Sequence, residues 1–239
     1  MLPLTRSKTG PLTVFVHVPK AAGSTVNRHL QAWSKHGLTH AERFLDRPEK
    51  LARRLPRLDW VSGHIALNRF LPLLTSIDRP LRLFGTMRAP AAQVAAQYNW
   101  QIEIFHRGRR FYNSHPPGIR AISERIRATD NSDPQAIIAN LQSDPGLFLN
   151  LQSRFLLGDD IDLAGPDFDT RFAKYETILP NDRMTDLIRA MTGAAPTGTL
   201  LKNASPDRYD RTVFDTPALR EFLARENSFD QLLFDRISR

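Results

Sequence analysis

The sequence contains no cysteine, which excludes a disulfide framework, a catalytic thiol and cysteine-ligated zinc or iron–sulfur centres. It also has no run of about 18 consecutive apolar residues, so we expect no membrane span. Its first residues lack the apolar stretch of a secretory signal peptide. Together these absences predict a cytoplasmic protein, because a chain without cysteine is suited to the reducing cytosol.

Acidic residues are scarce relative to basic ones. The chain has 33 Lys and Arg against 25 Asp and Glu, a formal net charge of +8. A field of this sign attracts anionic partners such as nucleotides, sulfated or carboxylated sugars, nucleic acids and acidic membrane surfaces. At 239 residues, with no linker-like segment, we expect a single domain over residues 1–239.

Strands alternate with helices along the chain. The predicted strands, rich in β-branched and apolar residues, are Thr13–Val18, a segment ending at Gly63, Leu81–Met87 and Arg171–Ile178. This order predicts an α/β fold with a parallel sheet covered by helices on both faces, in which ligands bind at the carboxyl ends of the strands. Residues from about 106 to 158 are expected to form a helical and loop excursion beside the sheet.

The first predicted strand is followed by a loop and a helix, in the sequence "VPKAAGST". A loop that enters a helix presents unpaired backbone N–H groups and the positive end of the helix dipole, which together bind anions. Lys20 adds a charge, and Ser24 or Thr25 can cap the helix, whose apolar side is expected to include Val26, Leu30 and Trp33. The lysine precedes the glycine, unlike that of the nucleoside triphosphatase P-loop. A plain turn with a solvated lysine is the alternative.

Two other strands are followed by residues suited to chemistry. Arg88 follows the strand ending at Met87, and its forked guanidinium suits phosphate, although an ion pair at a helix end is the alternative. His64 follows Gly63, and an imidazole titrates near neutrality and can act as a general base, although a structural role is the alternative.

Three segments, "FVHVPKAAGST", "WVSGHIALNRF" and "LFGTMRAPAAQVAAQYNW", resemble signatures of the carbohydrate sulfotransferases, in particular the heparan and uronyl 2-O- and 6-O-sulfotransferase branch and its bacterial members. The resemblance implies a P-loop-like fold and transfer of a sulfuryl group from 3′-phosphoadenosine-5′-phosphosulfate (PAPS) to a hydroxyl of a carbohydrate or lipid-linked sugar. The product would be 3′-phosphoadenosine-5′-phosphate (PAP), and no metal is required. It implies that His64 is the base, that Lys20 stabilises the leaving phosphate, that Arg88 binds the 3′-phosphate, and that the 5′-phosphosulfate is held by Lys20, Ala21, Ala22, Gly23, Ser24, Thr25 and Val26.

The sequence departs from the family pattern at two positions. The serine that usually accompanies the arginine is Ala96 here, so the 3′-phosphate contact is weakened or moves to Gln97 or another residue. The 2-O branch has a second histidine where this chain has Ser62, which leaves His64 as a single candidate base. Weaker similarities, "NLQSRFLLG", "AKYETI", "LKNASPDRYD" and "NSFDQLLFDRI", extend the resemblance from about residue 12 to 237.

Two other functions stay open. The first is an ATP-dependent, P-loop-like kinase, and the second is a non-catalytic binder of polyanions or nucleic acid, suggested by the net charge and by "HRGRR" at residues 106–110. Under the sulfotransferase interpretation no nucleic-acid partner is expected, and "HRGRR" and the excursion around it are expected to contact the acceptor. A bacterial-type cytoplasmic enzyme is then expected, with peripheral membrane contact compatible with its charge.

Overall fold

A computed structural model describes residues 9–162, 165, 167–196 and 206–239. Within these ranges, five strands form one parallel sheet in the order β2-β3-β1-β4-β5. The strands are β1 (Leu12–Val16), β2 (Gly37–Leu38), β3 (Trp60–Gly63), β4 (Leu81–Met87) and β5 (Tyr175–Pro180). The central strand β1 is fully buried, as expected of a parallel sheet covered on both faces.

Helices make up most of the rest of the described chain. The α-helices are α1 (Gly23–Trp33), α2 (Pro48–Ala52), α3 (Leu67–Leu74), α4 (Pro90–His106), α5 (Arg109–Asn113), α6 (Pro117–Ala128), α7 (Pro134–Ser143), α8 (Pro145–Phe148), α9 (Leu151–Leu157), α10 (Asp167–Phe172), α11 (Met184–Thr192), α12 (Pro217–Glu226) and α13 (Ser228–Ile237). Short 3₁₀ helices occupy Ala41–Phe44, Leu55–Arg57, Asn181–Arg183 and Arg211–Asp215. In the described part of the chain, no helix is long and apolar enough to cross a membrane.

The first of two compact units contains the sheet. It comprises Met1–Arg88, Gln152–Lys202 and Ile237–Arg239, as far as these ranges are described. Phe15 and Phe84 are register partners on one face of the sheet, where they pack with apolar residues of α1 and α11. On the other face Gly85 lies against Leu156 of α9, so helices cover both faces. The prediction of an α/β fold with a helix-flanked parallel sheet is confirmed.

The second unit comprises Ala89–Leu151 and Asn203–Arg236, as far as these ranges are described. Its core surrounds Tyr98 of α4, whose ring contacts those of Phe148, Tyr209 and Phe214. The Tyr98 hydroxyl donates to Asn131 and accepts from Asn140, so this buried polar group is satisfied. Of the excursion expected at residues 106–158, residues 106–151 belong to this unit, which begins earlier in the chain and also includes the last helices. Residues 152–158 belong to the first unit. The single domain over residues 1–239 stays a prediction.

Several local predictions need correction. The strand predicted from Arg171 begins at Tyr175, because Arg171 lies in α10 and its guanidinium donates to the Leu157 carbonyl and pairs with Asp160. The strand β2 has two residues and was not predicted. Trp33 is 41% exposed and does not belong to the apolar side of α1, whereas Val26 and Leu30 are buried there. Residues 201–205 of "LKNASPDRYD" lie outside the described residues.

Candidate functional site

The β1–α1 loop has an unusual backbone. Lys20 and Ala22 both adopt left-handed conformations, with φ of 62° and 64°, which are strained for residues with a Cβ. Ala22 is the N-cap of α1 and makes no side-chain capping bond, so the prediction that Ser24 or Thr25 caps the helix is wrong. Both lie inside the first turn, where Ser24 is exposed and Thr25 half-buried. This helix N-terminus therefore keeps its capacity to bind an anion.

Gly23 is required by the close approach of His17. A Cβ built on Gly23 would lie 1.9 Å from Cδ2 of His17 and 2.2 Å from its Nε2, well inside van der Waals contact. His17 is 6% exposed, and Nδ2 of Asn27 on α1 donates to its Nδ1 at 3.3 Å. The first turn of α1 thus lies directly against the imidazole of a residue that follows β1, and only a glycine leaves room for it.

His64 is oriented by the main chain. Its Nδ1 lies 2.8 Å from the carbonyl oxygen of His17, and because a carbonyl accepts, Nδ1 must carry the hydrogen. In the neutral imidazole, Nε2 then keeps its lone pair and can accept a proton. The rings of His17 and His64 are in contact, with centroids 3.9 Å apart. This is the geometry expected of a general base held in one tautomer.

Glu42 supports His64 and was missed by the sequence reasoning. Its Oε2 accepts from the backbone N–H of His64 at 2.9 Å, and its Oε1 accepts from Nδ1 of His40 at 2.8 Å. Burial opposes the ionisation of Glu42, but hydrogen bonds from its own backbone N–H, His40 and His64 lower its pKa overall. No local pattern indicated this contact, since Glu42 lies in a 3₁₀ helix 22 residues before His64.

Burial lowers the pKa of His64 below that of a free imidazole. Glu42 and the bond to the His17 carbonyl act in the opposite direction, while His40 and the ammonium of Lys20 lower the pKa further. At pH 7 His64 is therefore neutral, as a base must be. The influence of Lys20 also indicates that the loop lysine and the imidazole belong to the same electrostatic site.

Arg88 follows the last residue of β4, and its backbone is held by Gln152 of α9. The Arg88 N–H donates to Oε1 of Gln152 at 2.8 Å, and Nε2 of Gln152 donates back to the Arg88 carbonyl at 2.9 Å. Gln152 is fully buried. The sequence reasoning noted the "NLQ" segment without giving this glutamine a role. The paired bonds fix the backbone from which the Arg88 guanidinium extends.

The first unit thus brings three sequence-predicted positions to one edge of the sheet. Lys20, His64 and Arg88 follow β1, β3 and β4, which are adjacent strands, so all lie at carboxyl ends. Ala21 and Val26 are buried, and their backbones contribute to the loop and the first turn.

The residues discussed as departures from the family pattern are buried. Ser62 lies in β3 and is fully buried, and its hydroxyl has no hydrogen-bond partner among the described residues. Ala96 and Gln97 are buried in α4 of the second unit. A contact of Gln97 with the 3′-phosphate stays a prediction.

The "HRGRR" segment is only partly available to a ligand. The Arg107 guanidinium lies over the rings of Trp100 and Phe111, at 4.7 and 5.4 Å from their centroids, and pairs with Glu103 at 3.5 Å. Arg107 therefore has structural contacts of its own, although all five residues of the segment are exposed. Contact between this segment and an acceptor stays a prediction.

A cavity of about 260 Å³ lies beside the imidazole of His64. It is lined by His17, Ser24, Asn27, Arg28, Gln31, Thr39, His40 and His64. These side chains are mostly neutral hydrogen-bonding groups, and all belong to the first unit. Among the described residues, no group of three or more histidine and carboxylate side chains is arranged to hold a metal ion. A scan of protein-family models and a search of curated proteins found no match for the chain.

Proposed function

We propose that the chain is a PAPS-dependent sulfotransferase with a P-loop-like fold, which sulfates a hydroxyl of a carbohydrate or lipid-linked sugar. The observation that carries this proposal is that Lys20 and His64 follow adjacent parallel strands, β1 and β3, at the same edge of the sheet. The N-terminus of α1 has no side-chain cap, and the loop before it carries Lys20. His64 is a neutral imidazole whose pKa is lowered in part by the Lys20 ammonium, and its Nε2 can accept a proton. A cytoplasmic, bacterial-type enzyme fits this proposal.

The chemistry of the loop fits a 5′-phosphosulfate. The backbone N–H groups at the start of α1, the dipole of this 11-residue helix and the ammonium of Lys20 all favour an anion there. Ser24 and Thr25 add hydroxyl donors in the first turn. Arg88 directly follows the neighbouring strand β4, and the charge and forked geometry of its guanidinium suit it to the 3′-phosphate.

The nucleotide, when bound, supplies a sulfuryl group whose sulfur–oxygen bond to phosphate breaks as the acceptor oxygen bonds to sulfur, leaving PAP. Nε2 of His64 takes the proton of the acceptor hydroxyl. Lys20 stabilises the charge that develops on the leaving phosphate oxygen. Catalysis then rests on positioning and on electrostatic stabilisation, as in phosphoryl transfer.

Calorimetric titration tests the nucleotide site. PAP and adenosine 5′-monophosphate differ only in the 3′-phosphate, so without magnesium the wild type should bind PAP more tightly. Arg88→Ala removes a charge-assisted contact worth about 1.5–3 kcal/mol, and should weaken PAP binding by roughly 10- to 150-fold while leaving the monophosphate unaffected. The matched control is Arg69→Ala, which removes the same charge from an exposed position on α3.

A transfer assay then tests the base and the lysine. His64→Ala should lower sulfuryl transfer by at least about 100-fold, since general-base catalysis contributes on that scale. Lys20→Ala should have an effect of at least about 100-fold too, since one group that stabilises developing charge contributes about as much. Equal binding of the two nucleotides would count against the proposal. Magnesium-dependent binding of ATP in their place would favour a kinase, and salt-sensitive polyanion binding independent of Arg88 would favour a binder.

A further inference from the structure

The second unit carries a basic segment in which acidic residues are absent. Residues 104–123, which run from the end of α4 through α5 into α6, contain four arginines, two histidines and no aspartate or glutamate. Arg109 and Arg110 are exposed, and neither forms an ion pair with any residue in the part of the chain that the structure describes. Their charges are therefore available to an anionic partner.

The acidic residues on either side of this segment offset little of its charge. Glu103 is buried and pairs with both Arg107 and Arg208, so its charge is neutralised within the unit. Glu124 is exposed and accepts a hydrogen bond from the Tyr112 hydroxyl at 2.8 Å. One exposed carboxylate thus stands beside four arginines, and the segment attracts anions.

An exposed aromatic ring lies at the start of the same segment. Phe105 is 44% exposed, and among the described residues only Trp33 and Leu232 are other large apolar side chains with comparable exposure. The guanidinium of Arg127 lies over the Phe105 ring, 3.7 Å from its centroid, and the Tyr112 ring meets it edge to face. A single exposed apolar residue is ordinary, but one placed among exposed arginines suits a partner that is both anionic and apolar.

The aromatic rings of this surface are poorly placed for stacking. Arg107 covers a face of both Trp100 and Phe111, and Arg127 covers a face of Phe105. Single-stranded nucleic acids stack their bases on such faces, and a soluble polyanion would use the arginines without any gain from the Phe105 ring. A bilayer with anionic lipids uses both, because its headgroups attract the arginines while the ring enters the boundary with the acyl chains.

We propose that the surface formed by Phe105, Arg109 and Arg110 docks on a membrane that carries anionic lipids. The inference goes beyond the proposed function and does not depend on it. A sulfotransferase docked in this way would meet lipid-linked acceptors at the surface where they reside.

Vesicle flotation provides the test. The vesicles consist of phosphatidylcholine alone or of equal parts of phosphatidylcholine and phosphatidylglycerol, and heparin and single-stranded RNA serve as soluble polyanions. The variants are the double substitution Arg109→Gln with Arg110→Gln, Phe105→Ala, and Phe105→Trp, which keeps an aromatic ring. The matched control is Arg53→Gln with Arg57→Gln, which removes the same charge from two exposed positions of the first unit. Thermal unfolding verifies that each variant is folded.

We expect the wild type to bind the mixed vesicles at least about tenfold more tightly than phosphatidylcholine alone, and added salt should weaken this binding. Each arginine near an anionic surface contributes about fivefold, so the Arg109 and Arg110 double variant should lose roughly 30-fold. Phe105→Ala leaves the charge unchanged and should lose about tenfold, since it removes apolar area from the bilayer. Phe105→Trp and the control double variant should bind as the wild type does.

The inference is overturned if the wild type does not bind the mixed vesicles, if the control double variant loses as much as the Arg109 and Arg110 variant, or if Phe105→Ala binds vesicles unchanged. Tighter binding to heparin or RNA than to vesicles, lost in the arginine variant and retained in Phe105→Ala, would also overturn it and assign the surface to a polyanion. A protein that binds the mixed vesicles but not PAP would contradict the proposed function alone.

Discussion

Replacing Gly23 with alanine should damage both the stability and the activity of the protein. The new Cβ would lie 1.9 Å from Cδ2 and 2.2 Å from Nε2 of His17, so one of the two residues must move. His17 cannot move easily, because its ring is buried, its N–H donates to the Gly63 carbonyl at 3.0 Å, and its own carbonyl accepts from His64.

The size of the effect follows from overpacking. Inserting a methyl group into a packed site costs about 1–3 kcal/mol. For a chain of this length that corresponds to a fall of roughly 2–12 °C in the unfolding midpoint. Displacement of the His17 carbonyl also disturbs His64, and a shift of about 1 Å in a catalytic group can cost roughly 100-fold in rate. Thermal unfolding by circular dichroism and a sulfuryl-transfer assay measure the two effects.

Two further variants isolate the cause. In Gly118→Ala, a Cβ meets nothing within 4 Å, and the residue lies in α6, so this variant should be neutral or up to about 1 kcal/mol more stable. In a His17→Ala background the overlap no longer exists, and Gly23→Ala should cost little. If Gly23→Ala unfolds at the wild-type temperature, or is equally harmful in both backgrounds, the steric argument is refuted.

Two other predictions concern stability. Burial lowers the pKa of His17 to about 2, so unfolding takes up a proton below pH 6.5, and the stabilisation present above that pH is lost as pH falls. Below about pH 5.5, where the unfolded His17 is almost fully protonated, lowering the pH should reduce the free energy of unfolding by about 1.4 kcal/mol per pH unit through this residue. Urea unfolding of His17→Gln at several pH values should show a pH dependence of the free energy of unfolding that is smaller by that amount. Gln152→Leu removes two bonds to the Arg88 backbone, and should cost about 2–4 kcal/mol and weaken PAP binding. An unchanged pH slope, or a Leu variant as stable as the wild type, would contradict the respective argument.

The sequence predicted those parts of the fold that have a local signal. Runs of β-branched and apolar residues indicated β1, β3 and β4, because a buried parallel strand needs such side chains on both faces. The strand β2 carries no such signal, since two residues are too few for any periodicity. The strand predicted from Arg171 was wrong because of tertiary contacts. The Arg171 side chain binds the Leu157 carbonyl and Asp160 while its backbone lies in α10.

The residues of the candidate site also divide into those with a local sequence signal and those without one. Lys20, His64 and Arg88 could be singled out because each follows a strand of the same sheet, and parallel strands bring their carboxyl ends together. Glu42 and Gln152, which hold the backbones of two of them, lie 22 and 64 residues away in sequence from the residues they contact. Contacts of this range depend on the folded chain, and no local spacing rule predicts them.

His17 connects the separate parts of the site. Its backbone N–H donates to the Gly63 carbonyl of β3, and its own carbonyl sets the tautomer of His64. Its ring lies against both Gly23 and Asn27 of α1. The tautomer of His64 does not depend on which side chain stands at position 17, because a main-chain carbonyl fixes it. The position of that carbonyl does depend on the packing of the ring against Gly23. The turn proposed to bind phosphate and the proposed base are therefore placed by one residue, and any change that separates the ring from α1 should impair both at once.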